Sequence, residues 1–241
     1  MIKTYVINLE TSKERKVYMD SVLKEFDTLD IEYIKAVDGR NMSIEEKNKY
    51  FESRKFKKRN SIEVRDGEIG CTLSHQKCYR EIVNEDIQYA LILEDDIEIC
   101  GDLNNAINSV DRFLKTEEPM VILLSGWYWY TSKKSINDNY KLANVYDALL
   151  THSYLINNSA AKLLIEDKPY ITADDWMYIK NKGVRIKALN PHLINQKWDG
   201  SMETTVNIGK KEVKSLSWKL KNIYRLIFIK ILKVIGQFEE A

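Results

Sequence analysis

Tyr89-Ala-Leu-Ile-Leu-Glu-Asp-Asp96 is the stretch that decides the fold. Its first five residues form an unbroken apolar run, the pattern of a strand covered on both faces by helices. The run ends abruptly in three carboxylates. In an open α/β sheet, ligands collect beyond the carboxyl ends of the strands, so this acidic turn stands where a site belongs. Three adjacent carboxylates repel one another unless a cation or solvent relieves them. A hard Mn²⁺ or Mg²⁺ takes such oxygen ligands and is commonly shared with a phosphate-bearing substrate.

Working outward, Tyr5–Leu9 reads as a strand, and Ser12 and Glu14 open a helix continued by Met19, Val22, Leu23 and Phe26. Ile31–Val37 reads as a second strand, stopped by Asp38-Gly39. Further strands are expected at Met120–Leu124, Tyr154–Ile156 and Val184–Leu189, with helices over Thr72–Val83 and Ser159–Ile165 and another starting near Asp174-Asp175. This alternation specifies one α/β, Rossmann-like domain with a mixed central sheet over residues 1–209. Gly67 and Gly70 precede Ser74 and His75, and glycines so placed let backbone approach a ligand closely. His75 alone reads as structural or catalytic. Asp174-Asp175 is either a helix cap or a source of a general base. Arg54–Arg59 carries five positive charges in six residues, a solvated helix face or a basic segment near an anionic substrate. Trp127-Tyr-Trp-Tyr130 is either a sugar-stacking platform or packing under a loop.

Thirty-seven Lys and Arg against 36 Asp and Glu exclude a dedicated nucleic-acid binder, which carries a clear basic excess. Neither G-x-G-x-x-G nor the P-loop pattern occurs. Cys71, Cys78 and Cys100 are odd in number and form no C-x-x-C, and the opening residues hold too short an apolar run for a signal peptide. A cytoplasmic location is expected. Residues 210–241 differ, with eight basic and three acidic side chains. There Leu220, Ile223, Tyr224, Ile227, Ile231, Val234 and Ile235 share one helical face, while Ile229 and Leu232 fall on the polar side. A basic amphipathic helix over 214–238 fits an anionic membrane surface, and otherwise packs on the domain or forms a homodimer.

Taken together, Val6-Ile-Asn-Leu9, Arg15, Ala36-Val-Asp-Gly39, Gly67-Glu-Ile-Gly-Cys-x-x-Ser-His75, Leu91-Ile-Leu-Glu-Asp-Asp96 and Asp174-Asp-Trp176 resemble glycosyltransferase family 25 over about residues 2–200. The resemblance implies a GT-A fold and an inverting, metal-dependent transfer of a sugar, usually galactose, from a UDP-sugar to a glycan acceptor in lipooligosaccharide, O-antigen or capsule synthesis. It implies a DxD-type motif in Glu94-Asp95-Asp96, with Glu94 and Asp96 as Mn²⁺ ligands and Asp95 beside the donor. Asn8, Leu9, Arg15 and Asp38 would line the nucleotide pocket. Glu68, Ser74 and His75 belong to a second signature, and Asp175 matches the acidic position of a base better than Asp174 does. A lipid-linked acceptor on the inner leaflet would suit the basic tail and a peripheral position on the cytoplasmic membrane. A sugar-nucleotide hydrolase using the same acids and a non-catalytic membrane scaffold are the competing readings.

Overall fold

The computed structural model describes residues 1–197 and 215–240. Its elements begin with β1 (Ile2–Asn8), α1 (Lys13–Leu23), β2 (Leu29–Lys35), a 3-10 turn over Gly39–Asn41, α2 (Ile44–Tyr50), α3 (Ser53–Asn60) and α4 (Asp66–Asn84). They continue through β3 (Tyr89–Glu94), β4 (Ile97–Ile99), α5 (Leu103–Leu114), β5 (Met120–Leu123), β6 (Tyr128–Ser135), β7 (Lys141–Ala148) and β8 (Ser153–Asn157). The remainder are α6 (Asn158–Ile165), α7 (Trp176–Asn181), β9 (Arg185–Asn190), β10 (Ile194–Gln196), α8 (Leu216–Lys221), α9 (Ile223–Val234) and β11 (Phe238–Glu239).

Among the described residues, nine strands form one mixed sheet in the order β11-β6-β7-β9-β5-β8-β3-β1-β2, while β4 and β10 make a separate antiparallel pair. The decisive stretch is its centre. β3 runs parallel to β1 and antiparallel to β8, and Leu91, Ile92 and Leu93 are fully buried. Alternate residues of β3 enter two cores. Ala90 and Ile92 join side chains of α4, α6 and α7 on one face, whereas Leu91 and Leu93 meet α1 and α5 on the other. Each of the buried leucine and isoleucine side chains contributes about 2 kcal/mol relative to exposure, which locks the register that carries Glu94 to the rim. α5 adds to the elements expected from the sequence. Its Leu103, Ala106, Ile107, Val110 and Leu114 lie on one buried face, and Asp102 caps it by accepting from the Asn105 N–H at 3.0 Å.

β1 has β2 on one side and β3 on the other, both parallel to it. The chain therefore leaves β1 in one direction and later returns to its opposite flank. That reversal is a topological switch point, and it opens a crevice at the carboxyl ends of β1 and β3.

Two expectations are corrected by packing. Helix α4 begins at Asp66, not Thr72, so Gly67 and Gly70 lie inside it instead of in a ligand loop. The Glu68 carboxylate accepts from the Arg65 N–H at 2.8 Å and caps this earlier start. Gly70 is needed because the turn at Gly39 lies against it. A Cβ on Gly70 would stand 2.4 Å from the Val37 carbonyl oxygen, and one on Gly39 would stand 1.9 Å from that of Asp66. The close approach is thus backbone to backbone.

The aromatic run at 127–130 is a docking surface for the chain's own C-terminal segment. Phe238 stacks on Trp129 with ring centroids 5.0 Å apart and meets the Trp127 ring edge-on, while Tyr128 and Tyr130 are buried. β11 pairs antiparallel with β6, so described residues beyond 214 complete the sheet's edge. The expected single tail helix is broken at Asn222 into α8 and α9.

Candidate active site at the β1–β3 crevice

A cavity of about 340 Å³ opens at the switch point. Leu9 and Arg15 come to it from the end of β1 and the first turn of α1, Asp38 from the turn after β2, and Glu68, Ser74 and His75 from α4. Glu94, Asp95 and Asp96 reach it from β3, and Asp174 from the segment before α7. Most of the residues singled out in sequence therefore line one space. Asn8 and Asp175 do not line it.

The three adjacent acids have three separate situations. Asp95 is tied down. Its Oδ2 accepts from Asn8 Nδ2 at 2.7 Å and its Oδ1 from Arg15 Nη1 at 2.7 Å, which pins β3 to β1 and α1. Burial pushes its carboxyl up, against the pull of Arg15 and Asn8. Glu94 turns toward α4 and β8, where its Oε1 accepts from Thr151 Oγ1 at 2.6 Å and lies 3.4 Å from His75 Nε2. Burial pushes the Glu94 carboxyl up, but the His75 ring and the Thr151 hydroxyl outweigh it and hold it below the usual carboxylate value.

Asp96 differs from both. Its Oδ2 accepts from Gln196 Nε2 at 3.1 Å and faces Arg15 at 3.4 Å. Its Oδ1 is buried and has no hydrogen-bond partner among the described residues. Burial and the charge of Glu94 push its carboxyl up to about 6. A buried carboxylate oxygen without a donor is costly, and a cation is one group that relieves the cost. The donor set there is hard oxygen, which fits Mn²⁺ or Mg²⁺.

The α4 residues form the floor. His75 is 1% exposed and uses both ring nitrogens, Nδ1 on the Tyr154 hydroxyl at 2.7 Å and Nε2 on Glu94. The Tyr154 hydroxyl continues to that of Tyr79 at 2.7 Å. Cys71, His75 and Glu94 bring ligand atoms within 4.8 Å of one another. Ser74 spends its hydroxyl on structure, donating to the Gly70 carbonyl at 2.7 Å and accepting from the Val37 N–H at 2.8 Å. Asp38 accepts from Arg40 Nε and Nη2, both at 2.8 Å, and Arg40 holds its carboxyl below the ordinary value.

The two acids that precede α7 are placed differently. Asp175 caps α7, accepting the Tyr178 N–H at 3.1 Å through Oδ1, and its Oδ2 is bound by Arg59 of α3. Both oxygens have partners, and Asp175 is not among the residues that line the cavity. The carboxylate on the cavity wall is that of Asp174, which burial pushes up while Thr172 pulls it down. Arg59 also lies over the Tyr178 ring at 5.2 Å. The basic run of α3 thus reaches this segment through its last arginine.

Leu150, Thr151 and His152 complete the wall without any signal in the sequence. Leu150 has φ +65°, a left-handed conformation unusual for leucine, and its carbonyl accepts from Trp176 Nε1 at 2.8 Å. His152 approaches the Ile194 carbonyl at 3.2 Å through Nε2, and burial lowers its pKa.

The family model described as glycosyltransferase family 25 (LPS biosynthesis protein) matches residues 1–178. The chain belongs to glycosyltransferase family 25. Within and around family 25, a relative from Haemophilus influenzae bearing a provisional glycosyltransferase name is 26% identical over 250 residues, covering 94% of this chain and 85% of its own. A glycosyltransferase 25 family member from Aedes aegypti is 29% identical over 186 residues, covering 68% of this chain. Human procollagen galactosyltransferase 2 is 22% identical over 173 residues, covering 69% of this chain. The chain spans only 28% of the length of each of these two animal proteins. Among solved structures, apo-UDP-glucose pyrophosphorylase aligns over 80% of this chain and 91% of its own at 10% identity, with a TM-score of 0.40.

Proposed function

We propose that this chain transfers a sugar, galactose first among candidates, from a UDP-sugar to a hydroxyl of a glycan acceptor, inverting the anomeric carbon. The observation that carries the proposal is the buried Oδ1 of Asp96 at the switch-point cavity, which has no hydrogen-bond partner among the described residues. Family membership supports a transferase, and the galactosyltransferase name of a relative supports the choice of sugar. Asp96, with Glu94, would hold Mn²⁺ or Mg²⁺. When bound, the ion offsets the negative charge that builds on the departing diphosphate.

The residues of the chain supply the rest. Asn8 and Arg15 fix Asp95 and so hold the acidic turn rigid beside the donor. Asp174 is the base, replacing Asp175 in that role. As the acceptor oxygen bonds to the anomeric carbon and the carbon–diphosphate bond breaks, the hydroxyl proton passes to the Asp174 carboxylate. Burial raises the proton affinity of Asp174, which suits it to the task. Asp175 and Arg59 position the segment that presents it. We place the reaction in the assembly of lipooligosaccharide, O-antigen or capsule, on the cytoplasmic face of the membrane, with a lipid-linked acceptor.

The test is incubation with a panel of UDP-sugars, Mn²⁺ and glycan acceptors, following extended glycan by mass spectrometry. Extension that stops with chelator and returns with Mn²⁺ supports the reading. Release of free sugar in every case, or full extension in excess chelator, overturns it.

A further inference from the structure

Helix α9 has two apolar sides, and among the described residues only one of them meets the sheet. Toward the sheet, Arg225 gives Nε and Nη2 to Asp147 Oδ2 at 2.8 and 2.7 Å, and Asp147 is 2% exposed. Phe228 meets the Tyr146 ring with centroids 4.6 Å apart, and Leu232 is buried. These positions lie on one face of the helix. The residues read in sequence as interrupting the stripe therefore include its anchor, Leu232. The stripe itself faces solvent. Ile223, Ile227 and Ile231 are exposed, and Tyr224 and Val234 reach 84% and 85% exposure. A single contiguous row of such residues is more than scattered surface leucines and isoleucines require, and marks an interaction surface.

We propose that this outward face of α9 docks on an anionic lipid bilayer, lying in the plane of the interface. Charge selects the occupant. No acidic residue occurs from 215 to 238, while Lys219, Lys230 and Lys233 are exposed around the stripe. A second copy placed stripe to stripe would set these lysines against their equivalents with no carboxylate from the segment between them, which is unfavourable. Anionic headgroups satisfy both the lysines and the apolar row. A helix of 12 residues is about 18 Å long, short of the roughly 30 Å hydrocarbon core, so α9 lies on the surface and does not cross it.

Docking there also bears on the acceptor, and this part rests on the reading of Asp174 as base. Asp147, the anchor of α9, feels the charge of Asp175. α7 is tied to the same strand, because Lys180 Nζ donates to the Val145 carbonyl at 3.0 Å. The bilayer-facing helix is thus joined through β7 to the segment that carries Asp174. A lipid-linked glycan is the substrate class that such a connection serves.

The experiment is cosedimentation of the full chain with phosphatidylglycerol-rich vesicles and with phosphatidylcholine vesicles. Wild type should bind the anionic vesicles, and binding should fall as salt rises. Ile227→Asp/Ile231→Asp should weaken it about tenfold or more, and Lys219→Glu/Lys230→Glu should do so on anionic vesicles. Near-ultraviolet circular dichroism controls for folding. Equal binding by wild type and the Asp variant, equal wild-type binding to both vesicle types, or no wild-type binding with a dimer that the Asp variant dissociates in sedimentation velocity would each overturn the proposal. UDP release with a soluble acceptor, measured on the same variants, reports separately on the transferase reading.

Discussion

Replacing Asp174 by Asn removes a proton acceptor while keeping the side chain's size. Asp174 is the carboxylate on the cavity wall near α7, whereas both oxygens of Asp175 are engaged by Tyr178 and Arg59. Loss of a positioned general base costs 10²- to 10⁴-fold, so kcat should fall about a thousandfold, or about 4 kcal/mol of barrier. Asp175→Asn should behave otherwise. Asn caps a helix about as well as Asp, and the lost attraction to a partly exposed Arg59 is worth about 1 kcal/mol of stability at most. Its kcat should stay within about threefold of wild type, since the group acts through position alone. The assay is UDP release at saturating donor, with a pH profile. A base works only when ionised, and burial raises the Asp174 pKa above its usual value of 3.8. The wild-type rate should therefore fall on the acid side at a higher pH than an ordinary carboxylate gives, and this limb should be missing from Asp174→Asn. If Asp175→Asn loses more activity than Asp174→Asn, the assignment of the base is wrong.

Gly70→Ala forces a Cβ to within 2.4 Å of the Val37 oxygen and 2.7 Å of the Gly39 nitrogen, both backbone atoms. It should destabilise the chain by about 3 kcal/mol in urea denaturation, and an unchanged midpoint would refute the tight backbone contact. Arg225→Met leaves Asp147 buried without its cation and should cost about 2 kcal/mol, less than a fully buried pair because the guanidinium is partly exposed. Adding Asp147→Asn should recover part of that loss in the same assay; a further loss would argue against the buried pair. The third concerns pH. His192 Nδ1 and Glu239 Oε1 lie 3.1 Å apart, and Glu239 raises the His192 pKa while burial and His192 set that of Glu239, net downward. The histidine's stabilisation is complete below its unfolded value near 6.5 and lost as pH rises through its raised folded value. That of the glutamate is present above its unfolded value near 4.5 and lost as pH falls through its lowered one. Hydrogen exchange at Phe238 and Glu239 should be slowest, after correction for intrinsic rates, between these limits; faster corrected exchange at pH 5.5 than at pH 8.5 would contradict the pairing.

The legible parts of this molecule are those whose signals are local. β3 announces itself through five apolar residues and a charged stop, and the strand–helix–strand opening through its periods. With β1 and β3 recognised, topology puts the acidic cluster at the carboxyl ends of neighbouring inner strands. What was not legible depends on partners far away in the chain. The choice between Asp174 and Asp175 turns on Arg59, 116 residues from Asp175. The glycines of α4 read as room for a ligand until the turn at Gly39 is set against Gly70. The amphipathic tail was visible as a pattern, but the side that packs was not. Arg225 and Phe228 face inward because a buried Asp147, 78 residues from Arg225, and the Tyr146 ring await them. The family resemblance reaches only residue 178 in the matched model, so it offers no guide to that docking.

The pairing of β11 with β6 also sets an order of assembly. Tyr130 and Gly236, which bond across this edge, are 106 residues apart. During synthesis β6 emerges long before the strand that covers it, and until residue 239 is made its outer edge offers unpaired backbone groups to other chains. Every element that lines the acidic crevice precedes β11 in the chain, so the crevice can be in place while that edge is still open. Loss of only two residues at the sheet's margin, Phe238 and Glu239, would thus leave β6 an open edge for other chains without touching the crevice.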